Sequence, residues 1–209
     1  MNYSVVKIPY AIAKEHLIKH HYTHGVTNGG TSYGLYDPDR SPPFTLFPIP
    51  LLIGVIAFCN PISERVKMSI FGPTMKKHVT ELTRLHVLDI TPTNTESYFI
   101  SRALKLLKKD QRHIKAVVTY ADPTAGHNGT IYRATNAIEL NKSEPTSSYF
   151  DNGRIRSARQ NSVNYSEKEL KRLGWVKTMR ESKFKFVYLL GDRREKRQSM
   201  KILKQVNKL

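Results

Sequence analysis

Apolar and polar residues alternate along the chain with two different periods, which together predict a sheet flanked by helices. Continuous or period-two apolar runs predict strands at residues 3–8, 33–36, 51–58, 79–88, 114–121 and 183–190. Apolar residues spaced three and four apart predict helices at residues 10–21, 94–109, 130–140 and 167–173, and a basic helix ends the chain. Strands that alternate with helices in this way favour an α/β fold.

The segment from Ile114 to Asn141 carries the densest candidate chemistry. Its β-branched residues predict a buried strand, and Asp122-Pro123 followed by Gly126–Gly129 predicts a turn after that strand. In open α/β sheets, ligands bind in the crevice beyond the carboxyl ends of the strands. We therefore expect Asp122, His127 and the first turn of the next helix to lie at a functional site.

The charge of the chain points to a polyanionic partner. The formal net charge is +17. Residues 151–209 hold 17 basic and 6 acidic side chains, a surplus of 11, against 17 basic and 11 acidic, a surplus of 6, in residues 1–150. Nucleic acid is the first expectation for such a balance and an acidic membrane the second. We expect a single domain over residues 1–209 whose basic part, 151–209, contacts nucleic acid; a solvated basic tail is the alternative.

The single cysteine, Cys59, ends the apolar run 51–58 and is expected to be a small core residue. One cysteine cannot form an internal disulfide, which favours a reducing compartment. The apolar run is too short to span a bilayer, and no signal-type apolar segment occurs near residue 1. These observations predict a cytoplasmic protein with no membrane partner.

Four histidines fall within nine positions, at 16, 20, 21 and 24. A spacing of four places His16 and His20 on one helix face, as two ligands of one metal ion require, but the spacing is not that of a zinc finger. We predict no structural metal site and expect His16 to face solvent.

The predicted helix 94–109 begins with short polar residues that could contact a ligand. Asn94 or Thr95 is a suitable N-cap, with Glu96 and Ser97 in the first turn. Its apolar stripe is explained by core packing alone, and capping accounts for part of the polar head. At the other end of the chain, Asp151-Asn152-Gly153 predicts a hairpin turn that presents Arg154, Arg156 and Arg159 to phosphate groups.

Several motifs resemble the Mom family of phage DNA-modification proteins. They are His20-His21-Tyr22, Glu81–Leu85 (ELTRL), Asn94–Ser97 (NTES), Tyr120–Asn136 (YADPTAGHNGTIYRATN) and KFKFVYLL at 183–190. The order of elements is also similar to that of the GNAT N-acetyltransferase fold. The resemblance implies a GNAT-like mixed sheet flanked by helices, followed by a basic C-terminal extension. It further implies an enzyme that adds a carbamoylmethyl group to the exocyclic amine of adenine in DNA, which blocks restriction enzymes.

The resemblance also suggests roles for individual residues. Four residues become catalytic candidates. Asp122 is implied as general base or amine-orienting group, with a purely turn-capping role before Pro123 as the alternative. His21 is implied as a proton shuttle, Tyr22 as a group that contacts the base, and Tyr132 as a general acid, with core packing as the alternative for Tyr132. Asn94, Glu96, Ser97 and Asn136 become candidates for binding the group donor. Glu81, Arg84, His127 and Tyr33 become candidates for binding the substrate, with Tyr22 and Tyr33 able to receive a flipped adenine.

The donor is left open by the sequence. Ordinary GNAT enzymes hold the acyl-CoA pyrophosphate on a glycine-rich turn before a helix, whereas the turn at 90–96 contains no glycine and ends in an acid. An activated glycyl donor such as an aminoacyl-tRNA is the alternative to acyl-CoA, which would make tRNA a second partner. The resemblance also allows iron, with His21 and Asp122 as its candidate ligands.

Two other functional classes compete with DNA modification. One is a non-catalytic DNA-binding protein with a GNAT-like core, and the other is a GNAT acyltransferase that acts on a different substrate.

Overall fold

The computed structural model describes residues 2–21, 29–43, 49–61, 63–151, 154–157 and 165–208. The chain forms two compact units. The first comprises Met1–Thr119, Thr130–Glu139 and Phe186–Leu209, and the second comprises Tyr120–Gly129 and Leu140–Lys185. The strongly basic part, 151–209, is therefore divided between both units.

The first unit is built on a seven-stranded mixed sheet with the strand order β1-β2-β3-β4-β5-β10-β6. Its strands are β1 (Ser4–Ile8), β2 (Thr31–Asp37), β3 (Leu51–Cys59), β4 (Val79–Val87), β5 (Ala116–Ala121), β6 (Ile138–Leu140) and β10 (Phe184–Leu189). Its helices are α1 (Tyr10–His20), α2 (Glu64–Phe71), α3 (Thr95–Asp110), α4 (Thr130–Ala134) and α6 (Arg193–Asn207). The second unit contains β7 (Thr146–Asp151), β8 (Arg154–Ser157), β9 (Val176–Arg180) and the helix α5 (Glu167–Arg172).

The core of the first unit lies between the central strands and the apolar side of α3. The run 51–58 predicted a central strand, and most of β3 is indeed buried, including Cys59 at its end. The predicted stripe of α3 is confirmed, because Phe99, Ile100 and Leu107 are fully buried. Burying a large apolar side chain stabilises a fold by about 1.5–3 kcal/mol, so this stripe anchors the helix against the sheet.

Strand β4 is held differently along its two edges. It pairs antiparallel with β3 from Gly54 with Val87 to Cys59 with Glu81. Its parallel pairing with β5 covers only three residue pairs, from Val79 with Ala116 to Glu81 with Val118, although both strands continue. The next link between them is a side-chain bond, in which the Thr119 hydroxyl donates to the Leu82 carbonyl at 3.2 Å.

The helix predicted at 130–140 is wrong beyond Ala134. Asn136 adopts a left-handed backbone with φ of 61°, and the N–H groups of Asn136 and Ala137 donate to the carbonyls of Arg133 and Tyr132. These bonds form a Schellman motif, in which asparagine replaces the usual glycine. The residues that follow, Ile138–Leu140, form β6 instead.

Two further elements were not predicted from the sequence. Helix α2 falls in the segment 61–77, and its buried side is formed by Lys67, Ile70 and Phe71. Strand β9 pairs with β7 antiparallel, from Thr146 with Arg180 to Phe150 with Val176. Alternation along β9 is obscured because its exposed positions include Val176 and Met179.

The hairpin predicted around residues 151–153 is confirmed by the antiparallel pairing of β7 with β8, in which Asp151 faces Arg154. Residues 152 and 153 lie outside the described residues. Arg154 and Arg156 lie two positions apart on β8, as expected, whereas Arg159 lies outside the described residues. In the same unit, Gly174 ends α5 with φ of 76° in a second Schellman motif.

None of the described helices is both long enough and apolar enough to cross a lipid bilayer.

Candidate functional site

Candidate residues occur in both units, and the side chains of each unit form a polar cluster of their own. In the first unit the cluster is made of histidines from α1 and β4. In the second it is centred on Asp122.

A β-bulge in β4 redirects the candidate side chains on this strand. Leu82 pairs with Phe58 and Arg84 pairs with Ala57, so Thr83 is the extra residue. The Thr83 hydroxyl donates to the Ala57 carbonyl, and the Arg84 guanidinium donates to the Thr83 carbonyl at 2.7 Å. Bulges change the direction in which the following side chains point, and this one explains the imperfect alternation of residues 79–88.

Beyond the bulge, His86 contacts three histidines, two on α1 and one directly after the end of this helix. Its Nδ1 lies 3.0 Å from Nε2 of His16, at hydrogen-bond distance with the donor set by the tautomers. The ring of His20 stacks on that of His86 with centroids 5.7 Å apart, and the ring of His21 contacts it edge-on at 6.4 Å. We call His16, His20, His21 and His86 the histidine cluster.

Burial favours the neutral forms of His16, His20 and His86. The pKa of His16 is lowered to about 4, first by burial and then by the nearby His86 and His20. Burial is also the main cause that lowers the pKa values of His86 and His20. Neutral imidazoles each have one nitrogen that can accept a hydrogen bond, but burial makes protonation of His16, His20 and His86 less favourable than in water.

The expectation that His16 faces solvent is wrong. His16 is 7% exposed and His21 is 5% exposed, so both rings are covered. Ala13 and Leu17 are buried on the same helix, which shows that α1 turns His16 toward the sheet. Tyr22 and His24 lie outside the described residues.

The head of α3 follows the turn that leaves β4. Asn94 is the N-cap residue with a left-handed backbone at φ of 71°, and its side chain makes no cap hydrogen bond. Thr95 is fully buried and its hydroxyl donates to the Pro92 carbonyl, whereas Glu96 and Ser97 in the first turn are half-buried. The turn is a poor cradle for a pyrophosphate, because Pro92 has no N–H to donate and the Glu96 carboxylate repels anions.

Three other candidates in the first unit are occupied by structural contacts. Tyr33 is fully buried, and its hydroxyl donates to Asp110 at 2.9 Å, so its ring is not available for stacking on a base. Burial and this hydrogen bond raise the pKa of Tyr33 well above its usual value. Tyr132 is 8% exposed and packs against Phe186, and Asn136 ends α4. Glu81, by contrast, is half-buried at the end of the β4–β5 pairing.

In the second unit, Asp122 is buried and its carboxylate is surrounded by donors. It forms ion pairs with Arg180 and with Lys183, the latter at 3.2 Å, and accepts the Thr124 N–H at 3.1 Å. The Nε atom of Arg180 is buried and has no hydrogen-bond partner among the described residues. The His127 side chain belongs to an exposed residue, and the backbone N–H of His127 donates to the backbone carbonyl of Asp122 at 3.1 Å. Asp122 therefore caps its turn and also binds two cations.

Local sequence patterns do not identify three of these residues as partners. His86 lies 70 positions from His16, and Arg180 lies 58 positions from Asp122. Lys183 was visible only as part of an alternating strand. Such long-range pairs are set by strand order and register, which local periodicity does not contain.

The described residues do not fit a resident metal ion. Among them, no three histidine, cysteine, aspartate or glutamate side chains converge as ligands would. The close pair in the histidine cluster is instead joined directly by its hydrogen bond.

Solved structures with a similar fold include acetyltransferases. The NAA60 protein of Arabidopsis thaliana, in complex with acetyl-CoA, has a TM-score of 0.53 at 14% identity, and the match covers 90% of this chain and 99% of that one. A spermidine N-acetyltransferase chimera from Vibrio cholerae has a TM-score of 0.51 at 9% identity, with coverage of 96% and 99%. At such low identity these matches establish a GNAT-like α/β fold, in agreement with the expected fold class.

The similarity at the level of sequence is more specific. The protein named methylcarbamoylase mom of Escherichia phage Mu is 28% identical over 95 residues, which cover 46% of this chain and 39% of the relative. The matched segment thus spans well under half of that protein. The family model described as the Mom protein family matches residues 2–206, and the chain therefore belongs to the Mom protein family.

Proposed function

We propose that this chain is a phage-type DNA hypermodification enzyme. It transfers a glycyl or carbamoylmethyl-type group to the exocyclic amine of adenine in DNA and so protects the DNA from restriction. The observation that carries the proposal is the match of the Mom family over residues 2–206. The name of the phage Mu relative and the net charge of +17 support the same reaction class and a DNA substrate.

The acceptor amine imposes two requirements on the protein. Adenine lies inside the base stack, so the base must be flipped out of the duplex or presented on an open strand. When the amine attacks an activated carbonyl carbon, the nitrogen becomes positively charged and must lose a proton to a group at hydrogen-bond distance.

His21 is the proposed acceptor of that proton. It is covered from solvent and contacts His86, which is itself hydrogen bonded to His16. Because burial keeps His86 and His16 neutral, neither places a positive charge beside His21 that would oppose its protonation. Tyr22, the next residue in the chain, is the proposed group that contacts the base.

The donor is proposed to be an activated glycyl ester, such as that of an aminoacyl-tRNA. A glycyl group attached through its carbonyl and a carbamoylmethyl group attached through its methylene are isomers, so a rearrangement after transfer needs no further reactant. The head of α3 supports this choice over a pyrophosphate-bearing donor, because the Glu96 carboxylate attracts the ammonium group of a glycyl ester. Asn94 and Ser97 supply an amide and a hydroxyl group for polar contacts.

Asp122 is proposed to orient polar groups of the second unit rather than to accept the proton. Its carboxylate binds Arg180, Lys183 and the Thr124 N–H, and protonation would weaken both ion pairs. These contacts fix the Arg180 guanidinium in position beside the carboxylate.

The first prediction tests the reaction itself. DNA from cells that express this chain should contain a deoxyadenosine whose mass is increased by one glycyl group. The measurement is mass analysis of nucleosides after complete enzymatic digestion, with DNA from cells carrying the empty vector as control. Unmodified deoxyadenosine alone, at normal expression of a folded protein, would contradict the proposal. It would favour a binding protein or an acyltransferase with another substrate.

The second prediction separates the chemical from the structural role of Asp122. Asp122→Asn should abolish modification and lower the free energy of unfolding by about 3 kcal/mol, because it leaves Arg180 with an unpaired, largely buried charge. The double variant Asp122→Asn with Arg180→Gln should recover most of that stability, measured by urea denaturation, but not the modification. Recovery of both would make the ion pair purely structural.

The third prediction concerns the pH dependence of stability. The pKa of His16 is about 4 in the folded state and about 6.5 when unfolded. Below pH 6.5, His16 therefore binds a proton in the unfolded chain but not in the folded protein. The free energy of unfolding falls as the pH drops from 6.5 to 4. His16→Gln removes this proton uptake. The slope of the free energy of unfolding against pH should therefore decrease by up to about 1.4 kcal/mol per pH unit, which corresponds to about one proton.

The matched control is His113→Gln, since His113 is exposed on the same unit. Thermal unfolding between pH 4 and pH 7 measures both variants against the unchanged protein. An equal dependence in the two variants would mean that the His16 ring is solvated in solution.

A further inference from the structure

A groove of about 550 Å³ runs beside α6 in the first unit. Five basic residues of α6 line it: Arg193, Lys196, Arg197, Lys201 and Lys204. All five are exposed. Its floor is formed by the half-buried apolar residues Ile138, Leu189 and Met200. Among the described residues that line the groove there is no aspartate or glutamate. We call this surface the α6 groove.

The positive charge of the α6 groove is not neutralised within the described part of the first unit. None of its five cations forms an ion pair with another described residue. The acidic residues at the start of α6 are engaged elsewhere, since Asp192 caps the helix and Glu195 binds Lys115 at 2.5 Å. A further cavity, of about 390 Å³, is lined by Glu195 and by Lys105, Lys108, Lys109, Arg112 and Lys115.

The cations of the α6 groove form a row rather than a converging set. Arg193, Arg197, Lys201 and Lys204 recur once per turn, and their Cα atoms span about 16 Å along the helix at 1.5 Å per residue. A single phosphate group would contact only one or two of these turns. One strand of a DNA duplex presents a phosphate about every 3.4 Å of helix axis, so a row of this length can face several successive phosphates.

A membrane surface fits this helix less well. Helices that lie on membranes turn a large apolar face toward the lipid. On α6, Leu203 is fully buried and Ser199 is also buried, so this side of the helix faces the protein core. The exposed side that lines the groove is predominantly cationic, which suits a phosphate backbone.

We infer that the α6 groove binds the phosphate backbone of duplex DNA. This inference rests on the proposed DNA substrate, and it adds a binding surface on α6 to the arginines of β8. Phosphate contacts fix the position of a protein on DNA without reading the bases. The groove therefore contributes affinity and leaves the choice of target sequence to other residues.

The test compares two double variants that each remove two lysine charges. Lys196→Ala with Lys201→Ala alters the α6 groove. Lys7→Ala with Lys14→Ala alters exposed lysines on β1 and α1, and β1 is the edge strand of the sheet farthest in strand order from β10 and β6. Fluorescence anisotropy measures the affinity of the full chain for a labelled duplex of mixed sequence over a series of salt concentrations. Circular dichroism and thermal unfolding establish that both variants are folded.

We expect the groove variant to reduce the slope of log affinity against log salt by about two units, because about 0.9 counterion is released per phosphate contact. The control variant should keep the original slope. Equal slopes in all three proteins, or an equal reduction in both variants, would overturn the α6 groove as a DNA surface. A reduced slope for tRNA with an unchanged slope for the duplex would also overturn it, because the partner would then be RNA.

The same measurement distinguishes failure of the groove from failure of the proposed function. If the unchanged protein binds no duplex at any salt concentration, the DNA substrate and the groove are both refuted. If the unchanged protein binds the duplex and the groove variant binds it with the same salt slope, only the groove is refuted. Nucleoside analysis then still decides whether the proposed reaction occurs.

Discussion

The arrangement of the first unit depends on how β4 is held along its two edges. Strand β3 pairs with it over most of its length, while β5 pairs with it over three residue pairs near Glu81. Past this point the backbone of β4 pairs with β3, and the bulge at Thr83 changes the direction of its side chains. His86 thereby meets the α1 histidines, and the chain leaves β4 directly into the turn that begins α3.

The two polar clusters have opposite electrostatic character. In the histidine cluster, burial lowers the pKa values of His16, His20 and His86 and so favours their neutral forms at pH 7. The Asp122 cluster is ionic, with one buried carboxylate and two cations. A neutral group suits the acceptance of a proton, and a fixed ionic group suits the orientation of a polar substrate. The roles proposed for His21 and Asp122 follow from this difference.

Which basic residues share a surface is decided by the fold and not only by their order in the sequence. Residues 151–209 form a continuous basic part of the sequence, but they divide between the two units. In the first unit, α6 directs its core face inward with Leu203 and presents its cations on the other side. A basic sequence segment becomes a binding surface only when one face of the helix is fixed by packing.

The sequence by itself determined the α/β class and ten of the elements to within a few residues, because apolar periodicity is a short-range property. It also indicated the family, because the motifs are local runs of residues. It further narrowed the N-cap of α3 to Asn94 or Thr95, of which Asn94 is the cap, and placed the end of α5 at Gly174, since caps depend on a few adjacent residues. Only the tertiary structure decided that Tyr33 is a core residue, that α4 ends at Ala134, and that His16 is buried against His86. These outcomes depend on partners far away in the chain. Burial, ion pairing and pKa are set by those distant partners, and no local pattern records them.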